Sequence, residues 1–328
     1  METTARRKHA MVTIAQKLVR LLLVMLAVTA VTFAMVNCLP GDAAFLIGGE
    51  ISTGSEIEAI RAELGLDRPI WQRYLDWLAD VLRGELGRSY LTHEPVTRVI
   101  VSRLPVTLEL IVVSQTMALL LALPAGIVSA YRRGTPLDRG ISGVAFATFS
   151  VPGFVMALVT IYLFAIRLDW LPATGYVPLT RGLWANLKSF VLPGLSIALI
   201  EWVVLMRVLR SDLITTLQQE FILMARAKGL PPWKVLLQHA LRPSSFTLIT
   251  ILGMQVGRLL GEAVIVETIF ALPGLGRLLI DAIYARDALI VQGCVLVITA
   301  GYVVVNTGVD LLYGVLDPRV RCKTADGF

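Results

Sequence analysis

The residues most able to do chemistry are three charged side chains that stand inside long apolar runs. Glu201 lies in one run, and Arg258 and Glu262 lie four residues apart in another. Charges at membrane depth are costly and usually serve a function. Glu201 could face a pathway and meet a substrate amine, or it could pair with a neighbouring subunit. Arg258 and Glu262 can form an ion pair on one helix face, which favours a structural role, although both could still border water.

Three common kinds of reactive site are missing from the sequence. A phosphate-binding Walker A loop needs the pattern Gly-x4-Gly-Lys-Ser/Thr, and none of the six lysines follows a glycine. The three histidines and three cysteines do not stand at metal-ligand spacing, and no Gly-x-Ser-x-Gly nucleophile elbow occurs. We therefore expect no catalytic residue, no metal site and no cofactor bound by this chain.

The composition is that of a membrane protein. Of the 328 residues, 56% are hydrophobic and 16% are charged, whereas a soluble domain has about 25% charged residues. A helix needs about 20 apolar residues to cross the hydrocarbon core. Six runs are long enough, at residues 18–38, 106–131, 141–166, 190–209, 244–266 and 291–316. The sequence predicts an all-α integral membrane protein with six spans, the last five of them in a core of residues 106–316.

Loop charges predict the orientation, because cytoplasmic loops carry an excess of Lys and Arg. With a cytoplasmic N-terminus, the inside segments hold 17 of these residues, and they are 1–20, 132–139, 207–243 and 317–328. The two short outside segments, 167–189 and 267–290, hold 5. We therefore expect residues 1–17 and the tail 317–328 to lie in the cytoplasm, and the long loop 39–105 to lie outside.

Two loops have patterns of their own. Within 39–105, the stretch from Ser55 to Gly65 and the stretch after Pro69 predict short helices. The segment 210–243 predicts a short helix that ends at Gly229, since two prolines follow. Physics alone favours an ordinary connecting loop there. The alternative is a rigid handle for another protein, which the small side chains of Ala225 and Ala227 would let come close.

A stripe of small residues runs along the fifth predicted span. Gly253, Gly257 and Gly261 are spaced four apart, which lets a neighbouring helix approach closely. The stripe serves either packing inside the chain or contact with a second membrane subunit.

The segment from Glu220 to Gly229 resembles the EAA loop in membrane subunits of binding-protein-dependent ABC importers. The similarity extends over about residues 14–321. It includes segments 39–42, 64–69, 84–90, 103–110, 267–270, 272–276 and 310–319. Jointly they resemble the oligopeptide, dipeptide and nickel permease group, and within it the B-type subunit with the long first outside loop. Glu201 departs from that group, which more often has an apolar or small residue there.

The resemblance implies a type I ABC importer fold and a set of partners. These are a second homologous permease subunit, two ATP-binding subunits that carry ATP and Mg, an extracytoplasmic solute-binding protein and membrane lipid, with no nucleic acid. The ATPase-coupling residues would be Glu220, Ala225, Arg226, Ala227, Lys228 and Gly229. The frequency of peptide carriers in the group favours di- or oligopeptides as the cargo. The competing hypothesis is a self-sufficient ion-coupled transporter, which usually has internal repeats that we do not find in this sequence.

Overall fold

The computed structural model describes residues 2–38, 54–63 and 65–316. In chain order its helices are α1 (Glu2–Cys38), α2 (Gly54–Glu63), α3 (Ile70–Leu82), α4 (Val96–Tyr131), α5 (Pro136–Phe149), α6 (Gly153–Arg167), α7 (Leu183–Thr216), α8 (Glu220–Ala227), α9 (Pro232–Ile269), α10 (Leu275–Tyr284) and α11 (Ala288–Leu316). The all-α prediction is confirmed. The loop segment 39–42 and the tail 317–328 lie outside the described residues.

Within the described residues, five helices are long and apolar enough to cross a membrane, and they are α1, α4, α7, α9 and α11. A sixth span exists if α5 and α6 count as one, but the two helices are bent by 103°. The prediction of a single helix over 141–166 is therefore wrong. Pro152 is the reason, because it lacks an amide hydrogen and disfavours helical geometry at Val151. Pro152 has extended backbone geometry and directly precedes α6.

Two helices extend beyond the apolar runs from which the spans were predicted. α4 begins at Val96, ten residues before the predicted span, so the end of the predicted loop 39–105 is helical. α9 continues through Pro243, and a π-helical segment, Val235–Ala240, ends three residues before this proline. A wider π turn relieves the clash that a proline ring makes with the carbonyl of an earlier turn. Hydropathy thus located the spans but not their ends.

The first compact unit comprises Met1–Pro105 and Gly274–Val303. Here α3 packs against α1, since the Tyr74 ring contacts Phe33 edge-on and stacks on Trp77. The Tyr74 hydroxyl also lies 3.0 Å from the Thr29 hydroxyl. These contacts explain the helical apolar pattern after Pro69, which belongs to a helix packed on a predicted span.

The second compact unit comprises Val106–Pro273 and Val304–Phe328. Its most buried span is α7, which packs against α5, α6 and α9. A polar clamp joins α4, α5 and α7, because Asp138 accepts hydrogen bonds from the Ser129 hydroxyl, the Gly134 amide and two nitrogens of Arg210. The clamp neutralises a carboxylate that is buried in an otherwise apolar core.

The glycine stripe divides into a packed end and an open end. A Cβ on Gly253 would overlap the Val309 side chain, whereas a Cβ on Gly261 would meet nothing within 4 Å. Gly253 therefore serves packing of α9 on α11 inside the chain. The structure leaves the side of the stripe at Gly261 open.

We expect Gly253→Ala to lower the free energy of unfolding by about 1–3 kcal/mol, because the added methyl group overpacks the contact with α11. The same change at Gly261 is expected to be neutral or slightly stabilising, since alanine favours helix over glycine. Denaturant titration of the purified chain in micelles measures both values. Adding Val309→Ala to Gly253→Ala should restore stability, and equal effects at the two glycines would contradict the assignment.

Candidate functional site

The short helix α8 is fixed to the second unit by one apolar face. Ile222 and Ala225 lie three residues apart, so they point to the same side of the helix. Both are buried, and both join an apolar cluster that includes Leu213 of α7 and Val235 of α9. Helix α8 is therefore seated on two long helices, and a displacement of α8 must act on them.

The end of α8 is fixed by its backbone geometry. Gly229 has φ 76°, the Gly229 amide donates to the Arg226 carbonyl (2.9 Å), and the Leu230 amide donates to the Ala225 carbonyl (3.4 Å). This pair of bonds is the Schellman arrangement, which needs a left-handed residue where Gly229 stands. The predicted stop at Gly229 agrees with this geometry.

The other face of α8 is open. It exposes three large apolar side chains, Phe221, Leu223 and Met224. Such a patch on a rigid element usually marks a surface for another protein. Glu220 lies at its first turn and Arg226 in its last, where each charge suits the helix dipole.

The structure divides the predicted coupling residues into two groups. Glu220, Arg226, Ala227, Lys228 and Gly229 are exposed on or beside α8. Ala225 is only 5% exposed, so the expectation that its small side chain lets another protein approach is wrong. Its small size instead lets α8 sit close to the chain's own core. The sequence alone could not show whether Ala225 faces the chain's own core or a partner, since a small residue suits either position.

The second candidate site is an ion cluster at the middle of α7. The Glu201 side chain is 1% exposed, and its Oε1 accepts a hydrogen bond from Nη2 of Arg258 at 2.5 Å. Nη1 of the same guanidinium lies 3.3 Å from Oε1 of Glu262. The predicted pair of Arg258 and Glu262 is thus confirmed. The pair of Arg258 and Glu201 was missed, because nothing in the sequence tells which helices will pack together.

A cavity of about 250 Å³ opens beside this cluster. Its lining includes all three charged residues together with the small residues Gly153 and Ser196. Oε2 of Glu201 is buried, and it has no hydrogen-bond partner in the part of the chain that the structure describes. The cluster therefore offers an acceptor that no described residue fills, next to space for a small group.

Two further polar contacts join residues that are distant in the sequence. The Thr107 hydroxyl donates to Oε1 of the buried Glu267 at 2.6 Å, which ties α4 to α9. In the other unit, the Ser89 hydroxyl donates to Oδ2 of Asp287 at 2.5 Å. The two pairs are separated by 160 and 198 positions, so neither pairing could be predicted from the sequence. The first contact joins two long helices, and the second joins the loops that precede α4 and α11.

Metal binding finds no support in the described residues. Among residues 2–38, 54–63 and 65–316, no group of three or more His, Cys, Asp or Glu side chains could hold an ion. The carboxylates at the cavity are bound to Arg258 instead.

Two family models match the chain. The model described as "Binding-protein-dependent transport system inner membrane component" matches residues 122–322. The model described as "Binding-prot-dependent transport system membrane comp, N-term" matches residues 11–111. The first match includes helix α8 and the ion cluster of Glu201, Arg258 and Glu262.

Individual proteins agree with these matches. The chain is 40% identical over 298 residues to a protein of Brucella abortus (strain 2308) named for a peptide transport system permease, covering 91% of this chain and 95% of the relative. It is 37% identical over 322 residues to the dipeptide transport system permease protein DppB of Escherichia coli (strain K12), with the same coverage. A solved structure of the MetNI methionine ABC transporter matches with TM-score 0.55 and 18% identity, over 68% of this chain and 99% of that chain. That likeness concerns the fold.

Proposed function

The chain belongs to the family of binding-protein-dependent transport system inner membrane components, and from this premise we propose that it imports di- or oligopeptides. It is a multi-pass permease subunit, and it forms one half of the translocation pathway without catalysing a reaction itself. The names of its Brucella and Escherichia relatives support the peptide cargo. Family membership favours this function over a self-sufficient ion-coupled transporter.

The working complex contains a second permease subunit, two ATP-binding subunits and an extracytoplasmic solute-binding protein. The excess of Lys and Arg in the segments at both termini and around α8 supports a cytoplasmic location for all three. ATP and Mg are held by the ATP-binding subunits, since this chain has no Walker A pattern.

The observation that carries the proposal is the geometry of α8. One face is buried against α7 and α9, and the opposite face exposes Phe221, Leu223 and Met224 to a partner. An ATP-binding subunit that docks on the exposed face can push or pull α8 as a unit. Because α8 is seated on spans, this displacement rearranges the pathway. The coupling is reciprocal, so the pathway conformation that ATP favours must also favour ATP binding.

Reconstitution tests the proposed function directly. Vesicles that contain the chain with its second permease, its ATP-binding subunits and its binding protein are expected to accumulate dialanine only when ATP is present. Vesicles that contain the chain alone are expected to accumulate none, with or without a proton gradient. Uphill accumulation by the chain alone would establish the ion-coupled alternative.

A further inference from the structure

The ion cluster on α7 and α9 is not used by the coupling mechanism. Glu201 lies near the middle of a 34-residue helix, and its side chain is almost fully buried. A charge at that depth is costly unless it is paired and hydrogen-bonded. Arg258 satisfies one oxygen of Glu201, and the other oxygen has no partner among the described residues.

The cluster has an unbalanced charge. Two carboxylates, Glu201 and Glu262, face a single guanidinium, Arg258, so the formal charge is −1. The charged groups are close enough to act as a unit, with N–O distances of 2.5 and 3.3 Å. One additional positive charge would neutralise the cluster.

The buried hydrogen-bond acceptors near the cluster also favour a ligand group that is positively charged. Among the described residues, no donor reaches Oε2 of Glu201, which lines the cavity, and none reaches Oε1 of the neighbouring Gln255, which does not line it. Gln255 is joined to this region through its Nε2, which lies 3.4 Å from the Glu201 carbonyl oxygen. A primary ammonium group brings three N–H donors and a positive charge together.

The adjoining space fits the end of a ligand and not a whole peptide. Its volume of about 250 Å³ lies below the roughly 300–1,000 Å³ of pockets that enclose a complete small molecule. Gly153 and Ser196 keep one wall small, and the half-exposed Arg258 and Glu262 leave another side open. The rest of the ligand can therefore remain outside the cavity.

We infer that this cavity is a transient binding site for the ammonium group of the cargo as it moves through the pathway. The inference rests on the proposed function, since it assumes that the cargo is a peptide. The ammonium group approaches Glu262 first and competes with Arg258 for the carboxylates. We expect weak binding, because a site on a pathway must also release its ligand.

Saturation-transfer NMR on the full chain in nanodiscs tests this inference without ATP or partner subunits. The probes are dialanine amide, which carries a single positive charge, and N-acetyl-dialanine amide, which is neutral. We expect at least fivefold more saturation transfer to dialanine amide. Glu262→Gln and Glu201→Gln should each remove most of this difference. Asp281→Asn is the matched control, because it removes an i,i+4 partner of an arginine on α10, and neither residue of that pair lines the cavity.

Three results would overturn the inference. They are equal signals from the two probes, a wild-type signal in both Gln variants, or complete displacement of dialanine amide by equimolar potassium, which would indicate a general cation site. A lack of amine binding with normal ATP-driven uptake would refute this site and leave the proposed function standing. Amine binding without ATP-driven uptake would refute the proposed function, and the cavity would then be an amine-binding site with no role in transport.

Discussion

Replacing Gly229 with valine is expected to reduce ATP-driven uptake roughly tenfold while the membrane spans stay folded. Gly229 has φ 76° at the end of α8, a conformation that costs residues with a Cβ about 1–2 kcal/mol. A cost of about 1.4 kcal/mol lowers the ratio of native to non-native helix ends tenfold, so uptake can fall by up to that factor. Since the exposed face of α8 is the proposed docking surface, fewer molecules then present it correctly. Uptake into vesicles and co-purification of the ATP-binding subunits measure the effect.

Gly229→Asn is the matched control for that variant. A Cβ at this position meets nothing within 4 Å, so the Cβ that both variants add has room among the described residues. Asparagine tolerates the left-handed conformation far better than a β-branched residue does. The asparagine variant should therefore keep most of the uptake. Equal uptake by the two variants would mean that the backbone geometry at Gly229 does not control coupling.

The local features of this fold could be predicted from the sequence. Apolar runs of sufficient length mark the spans, because each helix must satisfy its own backbone in lipid. Glycine and proline mark breaks for equally local reasons, as the end of α8 at Gly229 shows. Pro152 likewise indicates the bend between α5 and α6. The prediction of the spans from apolar residues alone did not take it into account.

The contacts between helices could not be predicted in the same way. Glu201 and Arg258 are 57 positions apart, and only the packing of α7 on α9 brings them together. The burial of Ala225 likewise depends on which face of α8 meets the core. A single sequence specifies which residues can pair or pack, and the tertiary fold selects among those possibilities. The candidate residues were therefore found, but their partners were not.

Replacing Arg210 with methionine is expected to lower the free energy of unfolding by about 3–5 kcal/mol. The side chain of Asp138 is 7% exposed and receives two hydrogen bonds from Arg210, at 3.0 and 2.9 Å. Removing the guanidinium leaves a buried carboxylate without its countercharge, and breaking a buried pair in this way is strongly destabilising. Because Asp138 joins α4, α5 and α7, we expect the loss to appear as cooperative unfolding of the second unit in a denaturant titration.

Two comparisons separate this effect from a simple loss of one arginine. Arg83→Met removes an exposed ion pair with Asp80, and exposed pairs contribute only about 0–1 kcal/mol. Asp138→Asn combined with Arg210→Met removes both charges, and it should be less destabilising than Arg210→Met alone, because no charge remains buried. If the double variant were the less stable of the two, the dominant contribution of Arg210 would be packing of its side chain and not neutralisation of Asp138.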